Sequence, residues 1–187
     1  MIKKLAILLL SAALVCQAQA GAVGVYMGRT STSDFGDAKT MGAKLEASLI
    51  GPVGLEFRGN YYWDFDDKNL NLDDFKMFSG EVGLIGRLPL GIFSLHGGGG
   101  AGYYVMPSFD MVMPNGVVLK SDIDDTPGAY LLVGIETGTP LVRLFAEAKY
   151  LMLKPKLVRA EHLEYWHSKI DTDLSGLTFQ AGLMIRW

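Results

Sequence analysis

The 187-residue chain has one cysteine, Cys16, three histidines and seven prolines. A single thiol makes no intrachain disulfide and no multi-thiolate zinc site, so a disulfide-stapled or zinc-clasped fold is excluded. Positive charge is also not in excess: 17 Lys and Arg stand against 20 Asp and Glu, a formal charge of −3. That balance provides no electrostatic footprint for nucleic acid. Beyond residue 20 no apolar run is long enough for a membrane helix. The mean hydropathy is nevertheless positive, at +0.22. Hydrophobicity without hydrophobic runs means that apolar and polar residues are interleaved.

The one long apolar run lies at the start. Lys3 and Lys4 precede the apolar stretch Leu5 to Val15, and Ala18-Gln19-Ala20 has the small-x-small form of a cleavage site. Residues 1–20 are therefore expected to be a cleaved signal peptide, and residues 21–187 one domain. A lipoprotein use of Cys16 is disfavoured by Val15, where such signals place Gly or Ala. Cleavage removes the only thiol and two lysines, which takes the formal charge from −3 to −5.

Within residues 21–187 the dominant pattern is a period of two, the signature of strands with one apolar face. It is clearest at the end of the chain. Leu177, Phe179, Ala181, Leu183, Ile185 and Trp187 share one parity, with Thr178, Gln180, Gly182 and Arg186 between them and Met184 as the one apolar intruder. Seven further segments alternate in the same way, near residues 22–29, 41–50, 55–65, 78–88, 93–105, 129–136 and 142–150. Each is close to the roughly 9–11 residues that a tilted membrane strand needs. Tight Gly/Pro turns at 51–53, 89–91 and 138–140 alternate with long polar loops at 30–40, 66–77, 106–128 and 153–176. Short turns at one end and long loops at the other predict an all-β, eight-stranded, antiparallel up-and-down transmembrane barrel with both termini at the short-turn end. On this register Trp63, Phe65, Phe78, Tyr103 and Tyr150 form an outer aromatic girdle, and Phe57, Phe93 and Trp187 an inner one.

The signal segment, the alternating strands and the terminal segment Phe179 to Trp187 resemble the small outer-membrane β-barrel superfamily of Gram-negative bacteria, of the OmpA/OmpX-like eight-stranded kind. The resemblance implies an integral protein of the bacterial outer membrane, exported by its signal and expected to be a monomer in contact with lipid and lipopolysaccharide. Phe179, Leu183, Ile185 and Trp187 resemble the C-terminal signal by which the outer-membrane assembly machinery recognises its substrates. The superfamily includes adhesins, structural barrels, carriers and a few enzymes, so the resemblance implies architecture more than activity.

The inward parity carries the charge. Lys44, Arg58, Arg87, Arg143, Lys149 and Arg186 face Glu46, Glu56, Glu81, Glu136 and Glu147. An eight-stranded barrel is only wide enough for side chains to fill it, and buried charges must be paired. An ion-pair network that plugs the lumen is expected, rather than an ion path or a catalytic carboxylate pair. Tyr26, Tyr62, Tyr104 and Tyr130 share that parity, beside Gly98, Gly100 and Gly102. They define either a small vestibule at the outer mouth or tyrosines filling the space that the glycines leave.

Enzyme chemistry has little support. His96 falls in the lumen as a hydrogen-bonded core residue. In the last loop, adjacent His167 and Ser168 would point to opposite faces of a strand, a poor geometry for a base and its nucleophile. The spacing of His162 with Glu161 and Glu164 matches no standard zinc site. No metal or cofactor is expected. Lys154, Lys156, Arg159 and Lys169 cluster in that loop, where they could meet lipopolysaccharide phosphates. The expected role is non-enzymatic, structural or surface-interacting. The alternatives are a carrier or narrow channel for a small molecule, and a lipid-A-modifying enzyme.

Overall fold

The structure is a computed structural model, which describes residues 21–33, 36–66, 75–107, 109–112, 118–159, 169–171 and 173–187. Residues 1–20, expected to be the signal peptide, lie outside the described residues, as do His162, His167 and Ser168.

Twelve strands are present among the described residues: β1 (Gly21–Thr32), β2 (Gly36–Ile50), β3 (Val53–Asp66), β4 (Met77–Leu90), β5 (Phe93–Val105), β6 (Phe109–Val112), β7 (Val118–Ile123), β8 (Thr126–Gly138), β9 (Val142–Met152), β10 (Lys156–Arg159), β11 (Lys169–Asp171) and β12 (Gly176–Arg186). Eight of them close an all-antiparallel barrel in the order β1-β12-β9-β8-β5-β4-β3-β2. The seam joins the first strand to the last, from Ala22 opposite Arg186 to Thr32 opposite Gly176. Hydrogen bonds of 3.1 Å in both directions between the backbones of Gly21 and Trp187 finish it. Closure leaves no unpaired edge, which is what lets strands cross an apolar phase.

The period of two places apolar side chains outside. Val25, Met27, Leu84, Leu131, Val133, Leu144, Phe179 and Ile185 are all exposed. A soluble domain does not leave so continuous an apolar face in water. On the same face Tyr61 stacks on Trp63 and on Phe78, with centroids 5.4 and 4.8 Å apart. The short connections use left-handed backbone at Gly51 and Gly91, where a Cβ would be strained.

Two expectations are corrected. Phe65 does not join the outer girdle, and Asp64, which strict alternation from Arg58 and Asn60 would turn inward, faces out. Asp64 adopts a left-handed conformation (φ 58°) at a break in the β2–β3 register. The extra residue inverts the parity beyond it. Phe65 therefore turns into the barrel and is buried, while Asp64 points out to Lys39.

The outer connections are also not simply loops. β1 and β2 continue pairing up to Thr32 opposite Gly36. Thr30 and Thr178, opposite each other on β1 and β12, hydrogen-bond at 2.9 Å on the inner face, so small polar residues maintain the alternation beyond the apolar band. β6, β7, β10 and β11 build a second, four-stranded sheet in the order β11-β10-β7-β6 from two of the segments expected to be loops. The pairing of β7 with β10 joins connections far apart in sequence, and local periodicity carries no signal for that.

Glycine marks where strands approach closely. A Cβ at Gly100 would meet the carbonyl of Val82 and lie 2.5 Å from the Cα of Gly83, whereas one at outward-facing Gly80 would meet nothing within 4 Å. Gly100→Ala is expected to lower the unfolding free energy by about 1–3 kcal/mol, the range for overpacking. Gly80→Ala should stay within about 0.5 kcal/mol. Urea unfolding of both variants in lipid vesicles checks the contrast.

Candidate functional site

The barrel interior is layered along its axis. At the short-turn end Arg186 donates to both oxygens of Glu136 at 2.8 Å, and Arg87 pairs with Glu46. Arg143 faces the same space, with its Nε and Nη1 atoms buried and without a hydrogen-bond partner.

The middle layer is organised on Glu147 of β9. Its Oε1 accepts from Lys44 at 2.6 Å and faces His96 Nε2 at 3.0 Å. Its Oε2 accepts from Gln180 at 2.6 Å and pairs with Arg58 at 2.7 Å. Arg58 is bidentate to Glu56, at 2.6 and 2.8 Å, the fork geometry that guanidinium and carboxylate share. Lys44 also lies 3.3 Å from Glu46 and 3.6 Å from the centroid of the Phe145 ring. The side chains of Lys44, Arg58, Glu56 and Glu147 are all essentially buried. Ions in that position persist only when paired and hydrogen-bonded.

The next layer holds Glu81 and Lys149. Lys149 donates to both Glu81 oxygens, at 2.8 and 3.1 Å, and to the Tyr62 hydroxyl at 3.2 Å. Tyr104 donates to Glu81 at 2.8 Å. Tyr26 donates to Asn60 at 2.6 Å, and Asn60 passes a hydrogen bond to Ser79 at 2.8 Å. Above this lies an apolar cap of Ala38, Phe65, Phe75, Met77, Met106, Leu151, Leu153 and Leu174, packed with Tyr62 and Tyr104. Phe65 and Phe75 meet edge to face at 4.7 Å.

The four tyrosines do not line an open outer mouth. Tyr26, Tyr62, Tyr104 and Tyr130 are buried beneath or within packed groups. They occupy volume that glycines leave: a Cβ at Gly42 would lie 2.6 Å from the Tyr26 hydroxyl, one at Gly128 would lie 2.8 Å from the Tyr104 ring, and one at Gly83 would meet the Tyr130 hydroxyl. All eleven charged residues singled out by parity face the interior. Ten of them are ion-paired, and Arg143 stands apart. Gln180, Asn60 and Ser79 also belong to the network, and the apolar cap closes it above, none of them among the residues expected from charge and parity. Inward parity was the available signal for Gln180 and Met77.

Of the terminal residues, Phe179, Leu183, Ile185 and Trp187 all face outward and are exposed. In the last outer connection Lys154 is exposed and lies 3.9 Å from Asp173. Asp173 accepts from the Ser175 backbone N–H at 2.8 Å, and hydrogen bonding to Ser175 holds its carboxyl below the ordinary range. Among the described residues no cluster of three or more His, Cys, Asp or Glu could hold a metal ion.

No protein-family model and no curated protein matches the sequence. Solved structures do match in fold. The outer-membrane protein OprG from Pseudomonas aeruginosa superposes with a TM-score of 0.70 at 14% identity, over 91% of this chain and 96% of that one. Neisserial surface protein A gives 0.58 at 16% identity, over 90% and 97%. Ail, the attachment invasion locus protein of Yersinia pestis, solved in complex with the heparin analogue sucrose octasulfate, gives 0.53 at 15% identity, over 90% and 98%. The chain thus has the fold of the eight-stranded outer-membrane β-barrels.

Proposed function

We propose that the chain is an integral outer-membrane barrel with a structural or surface-interacting role, whose lumen is plugged by its own charges and which conducts no solute. The observation that carries this reading is the buried Glu147 hub, with Lys44, Arg58, His96 and Gln180 all within 3.0 Å of its carboxylate. A solute passing along the axis would have to displace these partners from a desolvated carboxylate, a step that costs several kcal/mol for each stranded ion. The apolar cap above it supports the same reading, because it offers a hydrated solute no polar surface. The exposed apolar belt supports a membrane location, with lipid as its first partner. A monomeric state, and lipopolysaccharide phosphates at the basic residues of the last outer connection, belong to the same proposal.

The test is conductance. Purified protein in planar bilayers is expected to give no stable open steps at either polarity. Reproducible, long-lived openings that scale with salt concentration would overturn the plugged-lumen reading. No observation on the described residues favours lipid modification.

A further inference from the structure

The interior charges do not cancel. Six cations face five carboxylates, and the surplus sits at one place. At the short-turn mouth the barrel holds a cavity of about 450 Å³, lined among others by Glu46, Arg87, Ser94, Arg143, Arg186 and Trp187. Three guanidiniums converge there on two carboxylates. The guanidiniums of Arg87, Arg143 and Arg186 line the same cavity, so their charges add there. Both Glu136 oxygens are taken by Arg186 at 2.8 Å. Glu46 is held by Arg87 on one oxygen and lies 3.3 Å from Lys44 on the other. Neither carboxylate meets Arg143, whose Nε and Nη1 are buried without a hydrogen bond, and Arg87 Nε and Glu46 Oε1 also lack one.

We propose that this mouth is a binding site for a small oxyanion, a carboxylate or a phosphate, held by Arg143 with help from Arg87. Guanidinium donors are forks with no acceptor of their own, and a planar or tetrahedral oxyanion is what satisfies them in pairs. One added negative charge would also balance the interior. The cavity volume lies in the range of ordinary small-ligand sites. The Trp187 indole at its edge gives an exposed aromatic wall beside the arginines. The site opens at the end opposite the apolar cap, so an anion reaches it without crossing the plugged lumen.

Trp187 serves as the reporter. In a Trp63→Phe, Trp166→Phe background the refolded barrel in detergent is titrated with phosphate and, separately, with succinate, at ionic strength held constant with sodium chloride. A saturable change in Trp187 emission is expected with at least one of them. Saturation with phosphate alone assigns a phosphate site, and saturation with succinate alone a carboxylate site. Arg143→Gln should weaken binding at least tenfold, and Arg143→Lys less, since it keeps the charge and loses the fork. Folding of each variant is checked by heat-dependent gel mobility. A linear response to both anions, equal to that of chloride, overturns the site, as does unchanged affinity in folded Arg143→Gln. Either failure leaves the conductance result, and the proposed function, standing on its own.

Discussion

Replacing Glu147 by Ala is expected to destabilise the barrel by about 3–5 kcal/mol, the range for breaking a buried ion pair from one side. The reason is what it leaves behind. Lys44 loses its 2.6 Å partner and keeps only Glu46 at 3.3 Å and Glu56 at 3.9 Å. Arg58 retains Glu56 but loses its second carboxylate. Gln180 loses its acceptor as well. Glu147→Gln should approach the same loss, because it keeps the shape and removes the charge. The double variant Lys44→Met, Glu147→Gln should recover more than half of it, since the stranded lysine goes with the carboxylate and Arg58 still has Glu56. Equilibrium unfolding in urea from lipid vesicles provides the numbers. A single-variant loss below about 1 kcal/mol, the level of an exposed pair, would show that the hub is hydrated rather than desolvated.

Lys149→Met is expected to produce a loss of the same order, about 3–5 kcal/mol, by stranding an anion instead of a cation. Both members of the Glu81–Lys149 pair are fully buried. Without Lys149, Glu81 keeps the Tyr104 hydroxyl at 2.8 Å and a long contact to Ser79 at 3.4 Å. Two neutral donors do not replace an ammonium that touched both oxygens. Methionine nearly conserves the volume, so the effect isolates charge from packing. Glu81→Gln combined with Lys149→Met should be markedly milder than Lys149→Met alone, and the coupling measured by that cycle is the quantity of interest. Strict additivity of the two changes would place the pair in water.

These predictions start from residues that alternation alone places in the lumen. Parity assigns Lys44, Glu147 and Lys149 to the interior because each lies between apolar neighbours on a strand. The requirement that buried ions pair then makes a network unavoidable. What parity cannot supply is the identity of partners. Glu147 meets Arg58 and Lys44 across the barrel, separated by many residues in sequence, and that depends on strand order and stagger. It also cannot see a change of its own period. Asp64 breaks the alternation of β3 with a single left-handed residue, and nothing in the sequence Tyr61 to Asp66 announces it. The sheet of β6, β7, β10 and β11 was hidden for a related reason. Its strands are three to six residues long, too short for a period of two to stand out from polar loop composition.

The break at Asp64 has a counterintuitive consequence for how this strand tolerates change. Tyr62 faces inward, Trp63 and Asp64 face outward, and Phe65 faces inward again. Asp64 is therefore the supernumerary residue. Removing it would leave Trp63 out and Phe65 in, an unbroken zigzag that keeps Phe65 in the cap. Replacing it with valine would do the opposite, because a β-branched side chain resists the left-handed conformation and pulls the residue back into the pleat. Position 64 would then face in and Phe65 would swing out to solvent. At this one place a deletion preserves the seal of the barrel and a substitution opens it, so the chain's spelling there is governed by counting rather than by chemistry.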